Sequence, residues 1–407
     1  MARRAWGEGA LFENKNKKVW MWAGYYYDID GHKQRKYLSA ADKPILMKKV
    51  KEWQNRLVDG HIVADKSITL EKWSTQWLAT IKPTVKSNTY KYYKSLINNH
   101  ISPILGQTKL ENLESMQIQN FLNNLLGKKG IKKKSIISAT TVNKIRETIR
   151  AILNSAVENG LIYKNVIRGT KRVRGDKKKI VALSENELKA FLAVAKEGLY
   201  IYNGCKKPYK EDLGMKYHKQ AYYTAIYLAA TTGMRKGEVF GLEWSDINFE
   251  SGVLSISHNL VGINKIETPK TASSFRNIKL ASETIAVLKD WQKYQQNFAI
   301  DFGKKAFKNT FNLVFTNTVG NSISVDNFLH RYWKKICNEA NTPKGFTFHG
   351  LRHTFATMLL QKVNVKVVSE ILGHSDVAMT MRVYAHALPS MQEVAVQEIE
   401  KIFKENT

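Results

Sequence analysis

The stretch His349-Gly-Leu-Arg352-His353-Thr-Phe-Ala-Thr357 puts two imidazoles and a guanidinium within five consecutive residues. His349 and Arg352 stand three apart, so a helix would set them on one face. Two further clusters flank the stretch. Upstream lies Thr231-Thr-Gly-Met-Arg235-Lys-Gly-Glu238-Val239, and downstream Leu372-Gly-His374, followed ten residues later by Tyr384. Each is weak by itself. With 10 His and 64 Lys+Arg in 407 residues, a basic residue three after a His arises about once or twice by chance. A lone His is more often structural than catalytic, and a single Tyr among 18 is more often core or surface than nucleophile. Chance does not readily supply the ordered set: Gly-x-Arg-x-Gly-Glu, His-x-x-Arg-His-Thr, Leu-Gly-His, then Tyr.

Working outward, charge is the next signal. Lys+Arg number 64 against 35 Asp+Glu, a formal charge of +29 with a pI near 9.8. Such a field favours polyanions. Nucleic acid is the first candidate partner and an anionic membrane surface the second. Residues 66–180 hold 23 basic and 6 acidic residues and so carry most of the excess. Cys205 and Cys337 have no ligand spacing around them, so no zinc site or disulfide framework is expected. There is no secretory leader and no apolar run long enough to span a bilayer. The expectation is a soluble, cytoplasmic protein.

Four segments emerge. Residues 1–62 read as a small sheet-plus-helix module. Val19–Ile29 is rich in β-branched and aromatic residues, Asp30-Gly31 signals a hairpin, and Lys33–Leu38 is the return strand. Asp42 and Pro44 open a helix whose Leu46, Val50, Trp53 and Leu57 form one stripe, with Gly60 as its stop. Lys33, Arg35 and Lys36 on the return strand are candidate DNA contacts, since a ribbon of this size enters a major groove. The competing reading is that these charges only keep the sheet in solution.

Residues 66–167 read as all-helical, with Ile145, Ile149, Ile152, Leu153 and Ala156 on one face and Lys128–Lys134 in a loop. Residues 168–180 hold seven basic residues and two glycines, and read as a basic linker. Its Lys171, Arg172 and Arg174 are candidate phosphate contacts, with a plain flexible tether as the alternative. Residues 181–407 are mostly helical and open on a capping box, Ser184 to Glu187. Two strand runs, 253–261 and 265–280, interrupt them, the second turning back at Thr271. The fold class predicted is mainly α (α+β).

The ordered set resembles the tyrosine recombinases, or phage-type integrases, and the resemblance covers the whole chain. An arm-binding module, a helical core-binding domain and a catalytic domain follow in that order in integrases of phages and conjugative transposons. The resemblance implies that Arg235, Lys270, His349, Arg352, His374 and Tyr384 are the catalytic set. It also implies a homotetramer on double-stranded DNA at core and arm sites, an excisionase partner and a host DNA-bending protein. No metal or other cofactor is expected, because no carboxylate cluster marks a Mg²⁺ site.

The chemistry is coherent with that set. Two guanidiniums suit the non-bridging oxygens of a phosphodiester. A phenol of pKa about 10 must lose its proton to attack, and His349 is the candidate acceptor. Lys270 is the candidate donor to the leaving oxygen, with Lys265 as competitor, and His374 would bond the phosphate. Glu238 reads as a brace, and His353 and His386 as non-catalytic neighbours. Met391, Ala395, Ile399, Ile402 and Phe403 recur at helical spacing and would pack on a neighbouring protomer or on their own domain. A monomeric type IB topoisomerase fits less well, given the N-terminal module and the tail. A non-catalytic DNA-binding regulator has no use for a tyrosine beside two arginines.

Overall fold

The computed structural model of the chain describes residues 9–14, 19–27, 33–58, 68–127, 136–175, 180–197, 213–269, 274–303, 306–384, 395–396, 399–400 and 403. Two compact units divide it, Met1–Lys177 and Lys178–Thr407.

The first unit begins with an antiparallel sheet, β1 (Ala10–Asn14), β2 (Val19–Tyr27) and β3 (Lys33–Ala40), in that order. The sequence reading lacked β1, whose five residues alternate too briefly to announce a strand. The register sets Trp22 opposite Leu38 and Tyr25 opposite Arg35. Side chains alternate across a strand, so Trp20, Trp22 and Leu38 share one face. They pack with Leu46, Val50 and Trp53 of the helix Lys43–Val58. The Trp22 and Trp53 rings lie 5.0 Å apart. The opposite face carries Arg35 between Tyr25 and Tyr37, at 5.3 and 5.0 Å from their ring centres. Gly60 lies outside the described residues.

The helices Leu70–Ile81, Ser87–Leu96, Ser115–Leu125 and Ala139–Glu158 build the second core of this unit. The predicted face of the last helix, from Ile145 to Ala156, is fully buried. Thr69 and Ser138 cap the first and last helices through their hydroxyls, which accept from an otherwise unpaired first-turn amide. Trp73 ties the two together by donating Nε1–H to the Ile152 carbonyl at 3.1 Å. Lys128–Lys134 lie outside the described residues.

The chain does not leave this core at once. Val166–Gly169 forms a 3₁₀ turn with Ile167 buried. Arg146 then donates to the Thr170 carbonyl at 2.9 Å, and Gln119 accepts from the Lys171 amide at 2.7 Å. Asn143 bonds both the amide and the carbonyl of Val173, at 3.0 and 2.9 Å. Its side-chain amide therefore mimics a neighbouring strand.

The second unit is a helical body with two small sheets. Its long helices are Glu185–Glu197, Leu213–Thr232, Ser282–Asp301 and Phe348–Leu360. The predicted capping box is present: Glu187 accepts from the Ser184 amide at 2.7 Å, and Ser184 Oγ accepts from the Glu187 amide at 3.4 Å. Aromatic rings fill the core, with Tyr217, Phe240, Trp291, Phe315 and Phe328 among its fully buried members. The strands differ from the sequence reading. Each predicted run breaks in two, giving β5 (Val253–Ile256) and β6 (Asn259–Gly262), then β7 (Lys265–Glu267) and β8 (Arg276–Lys279). β8 pairs with β5, which also pairs with β4 (Ile247–Asn248), while β6 pairs with β7. The β6–β7 hairpin turns at Ile263-Asn264, where Asn264 takes φ 52°, and the turn expected at Thr271 lies outside the described residues. Asn tolerates this left-handed conformation better than β-branched residues do.

Among the described residues, no helix is long and apolar enough to cross a membrane.

If Asn143 is the clamp on the segment after the 3₁₀ turn, Asn143→Ala should speed deuterium exchange at the Val173 amide. The amides of the helix Leu70–Ile81 should exchange as before. Local opening of this kind is cheap relative to global unfolding. An unchanged rate at Val173 would show that the strand-like pairing contributes nothing.

Candidate active site

The helix Val365–Leu372 ends on Gly373, which takes φ 65°. Left-handed backbone is open to glycine without a Cβ clash. The last carbonyls of any helix lack intrahelical partners and carry the negative end of its dipole. Here three successive carbonyls each accept from a different arginine. Ile371 takes Arg276 Nε at 2.5 Å, Leu372 takes a terminal nitrogen of Arg352 at 2.7 Å, and Gly373 takes one of Arg235 at 3.0 Å. Arg352 also donates to the Gly233 carbonyl at 3.0 Å. Gly233 is itself left-handed at φ 64°, and a Cβ there would strike the Phe355 ring.

A single carboxylate sits among these charges. Glu238, 3% exposed, accepts from Arg235 at 2.8 Å and from both terminal nitrogens of Arg276 at 3.2 and 2.9 Å. It also accepts from the Arg235 amide at 2.7 Å, capping the short helix Lys236–Phe240. Burial pushes its pKa up, but the Arg276 and Arg235 contacts outweigh that and hold it below the usual carboxylate range. Arg352 is 2% exposed. Burial, then the nearby Arg235 charge, pushes it down to about 9, so it stays charged at neutral pH.

The helix Phe348–Leu360 carries the central motif, capped by Thr347. The structure brings His349 and His353, four apart, edge to face at 4.7 Å. Burial first, then Arg352 and Arg235, lowers the His349 pKa. His374 lies 2.8 Å from Arg352 through Nε2, and 2.7 Å from Thr380 Oγ1 through Nδ1. A guanidinium only donates, so Nε2 accepts and the proton resides on Nδ1. Burial and the surrounding positive charges push the His374 pKa down to about 4, in agreement with that neutral tautomer.

Tyr384 ends the helix Val377–Tyr384 and is 1% exposed, packed with Ala356, Leu360, Val368 and Leu372. Burial raises its pKa to about 12, against the opposing pull of Arg352. Its hydroxyl lies 2.8 Å from His353 Nδ1. The sequence reading set His353 aside, yet His353 is the histidine that touches this hydroxyl.

Arg235, His349, Arg352, His374 and Tyr384 thus gather in one region of the second unit. Lys270 and His386 lie outside the described residues. Lys265 sits on β7, paired with Glu267 at 3.3 Å. The sequence reading also missed Arg276. Strand alternation was the available signal, since it sets Arg276 on the same face as buried Ile278. Of the candidate DNA contacts, Arg35 is exposed on the aromatic face of the N-terminal sheet, whereas Lys36 falls on the other face, opposite Gly24. Lys33 lies on β3 opposite Tyr27. Arg172 bonds Glu147 at 3.1 Å, and Lys171 and Arg174 are exposed.

Residues 182–391 match the phage integrase family, and residues 69–126 match its N-terminal SAM-like domain. The chain is 30% identical over 396 residues to a XerC-like tyrosine recombinase of Caldanaerobacter subterraneus, covering 92% of this chain and 94% of that one. It is 25% identical over 371 residues to the transposase of transposon Tn916 from Enterococcus faecalis, covering 88% and 84%. The fold is similar to that of the Tn1549 transposon integrase in complex with a circular intermediate DNA. The TM-score there is 0.64 at 22% identity, covering 82% of this chain and all of that one. It is also similar to the lambda integrase tetramer bound to a Holliday junction, with a TM-score of 0.55 at 19% identity and 94% and 96% coverage. The chain belongs to the phage integrase family and is a tyrosine recombinase of the conjugative-transposon and phage type.

Two measurements probe the charge web. Glu238→Ala leaves the buried Arg276 uncompensated and should cost about 3–5 kcal/mol in urea denaturation of the second unit. A loss under about 1 kcal/mol, the range of exposed ion pairs, would mean the carboxylate does not hold the site together. The His374 pKa is about 4 when folded, below its ordinary 6.5, so the protonated form favours unfolding. Its contribution is present above pH 6.5 and lost as pH falls toward 4. The melting temperature of the wild type should therefore drop across that window more than that of His374→Asn. Parallel curves would refute the neutral His374.

Proposed function

We propose that this chain cuts and rejoins double-stranded DNA at specific sites, integrating and excising a mobile element through a 3′-phosphotyrosyl intermediate on Tyr384. The observation that carries this is a tyrosine beside a preorganised, permanently charged arginine pair. Arg235 and Arg352 would hold the non-bridging oxygens of the scissile phosphate, with His374 as a third contact. Their side chains are already fixed on backbone carbonyls, so little reorganisation is needed when an anion arrives. His349, edge to face with the tyrosine's partner His353 at 4.7 Å, is a candidate proton acceptor.

In the cleavage step the Tyr384 oxygen bonds phosphorus and the bond to the 5′ oxygen breaks. Lys270 would protonate that oxygen. Lys265, the alternative donor, is paired with Glu267 at 3.3 Å. The phosphotyrosyl bond retains the energy of the phosphodiester, so religation to a new 5′-hydroxyl needs no nucleotide cofactor.

The chain would act as a homotetramer on core and arm DNA sites in the bacterial cytoplasm, with an excisionase and a host DNA-bending protein as further partners. The lambda integrase tetramer on a Holliday junction supports this assembly by analogy of fold. The sheet face bearing Tyr25, Arg35 and Tyr37 would read the arm site, with Lys33 on the same strand. Lys171, Arg172 and Arg174 would lie along the core-site backbone.

Tyr384→Phe should bind DNA and form no covalent adduct on nicked suicide substrates in denaturing gels, and an adduct that persists would sink the assignment. Arg235→Ala and Arg352→Ala should each slow single-turnover cleavage by about 10²–10³ with binding nearly intact. Lys270→Ala should be rescued by a substrate with a better 5′ leaving group. Rescue of Lys265→Ala instead would reverse the choice of lysine.

Residues 1–62 alone should shift a repeat from the element's end more than scrambled DNA in mobility-shift titrations. Their affinity should fall with salt at a log–log slope of about −0.9 per phosphate neutralised. Equal affinity for both DNAs would reduce the module to an electrostatic anchor.

A further inference from the structure

We propose that His353 is the base that takes the phenolic proton of Tyr384, leaving His349 to the arginine pair. This rests on the strand-cleavage reading above. The Tyr384 hydroxyl lies 2.8 Å from His353 Nδ1, within the reach a general base requires. No comparable bond joins that hydroxyl to His349 among the described residues. Tyr384 is 1% exposed, so bulk water is poorly placed to accept its proton. His353 follows Arg352 directly on one helix and meets His349 edge to face at 4.7 Å. His349 thus contacts His353, which contacts the nucleophile. Burial, then the charges of Arg352 and Arg235, disfavours a proton on His349, against the smaller pull of Glu238.

The step balances as follows. The Tyr384 O–H bond breaks, its electron pair stays on oxygen and forms the bond to phosphorus, and the proton passes to His353 Nδ1. The bond between phosphorus and the 5′ oxygen breaks, and that oxygen receives a proton from Lys270. Religation runs the same steps backwards, with His353 returning its proton to Tyr384. His353 must therefore enter the step with Nδ1 unprotonated and its proton on Nε2.

The test is single-turnover adduct formation on a nicked duplex carrying the junction sequence that flanks this coding sequence. Wild type, His353→Ala, His353→Gln and His349→Gln are compared, with DNA affinity checked by mobility shift. Glutamine keeps a hydrogen-bonding group but accepts no proton. Both His353 variants should therefore bind DNA normally and react about 10²–10⁴ more slowly. Added imidazole should restore at least about tenfold to His353→Ala, whose cavity admits it, and nothing to His353→Gln. Adduct formation by His353→Gln within about threefold of wild type, or no response of His353→Ala to imidazole, overturns the proposal. An inactive wild type overturns the cleavage reading itself, so the two failures are distinguishable.

Discussion

The end of one short helix organises the second unit. Three guanidiniums dock on the successive carbonyls of Ile371, Leu372 and Gly373, where a helix would otherwise leave acceptors unpaired. Without those carbonyls and Glu238, like charges this close would repel one another in a low-dielectric setting. With them, three positive charges meet one carboxylate and several oriented dipoles, and the cluster keeps a net positive field. An anion entering there meets donors that are already aimed. The same turn leads directly into His374, so the backbone that satisfies the arginines also places the next functional side chain.

Glu238 and Arg276 show how a charged interior is kept coherent. Neither reaches outward, and each uses its hydrogen-bonding capacity on the other or on the chain around it. Arg235, by contrast, keeps about a third of its side chain in contact with solvent. The web therefore has an inner layer that sets angles and an outer guanidinium free to meet a ligand. A Lys at position 276 would supply charge without the planar fork that engages both carboxylate oxygens.

Much of this was legible in the sequence. Helical periodicity marked the face of Ala139–Glu158, and the Ser184–Glu187 capping box marked where the helix Glu185–Glu197 starts, because both signals are local. The ordered motifs marked Arg235, His349, Arg352, His374 and Tyr384, and all five come together. What escaped depended on distance in sequence. Arg276 reaches Glu238 across 38 positions, and nothing near it reveals that partner. His353 reaches Tyr384 across 31, so its neighbourhood looked ordinary. The strand runs were visible as composition but not as pairing, since β5 skips over a whole hairpin to meet β8. Lys36 was grouped with Arg35 by adjacency, although adjacent strand residues face opposite ways.

The depth at which Tyr384 lies bears on how such a protein can live on a chromosome. A strongly basic chain spends most of its time on arbitrary DNA, held by phosphates alone and sliding between sites. If Tyr384 is the nucleophile proposed above, a phenol on the surface would make every such encounter an opportunity for an unwanted nick. A ring sealed among Ala356, Leu360, Val368 and Leu372 makes residence and scission separate events, because a phosphate must gain access to the oxygen before chemistry can start. With Tyr384 as the proposed nucleophile, fidelity would be enforced by packing as well as by base recognition, and damage to bystander DNA would be limited even where the grip is tight.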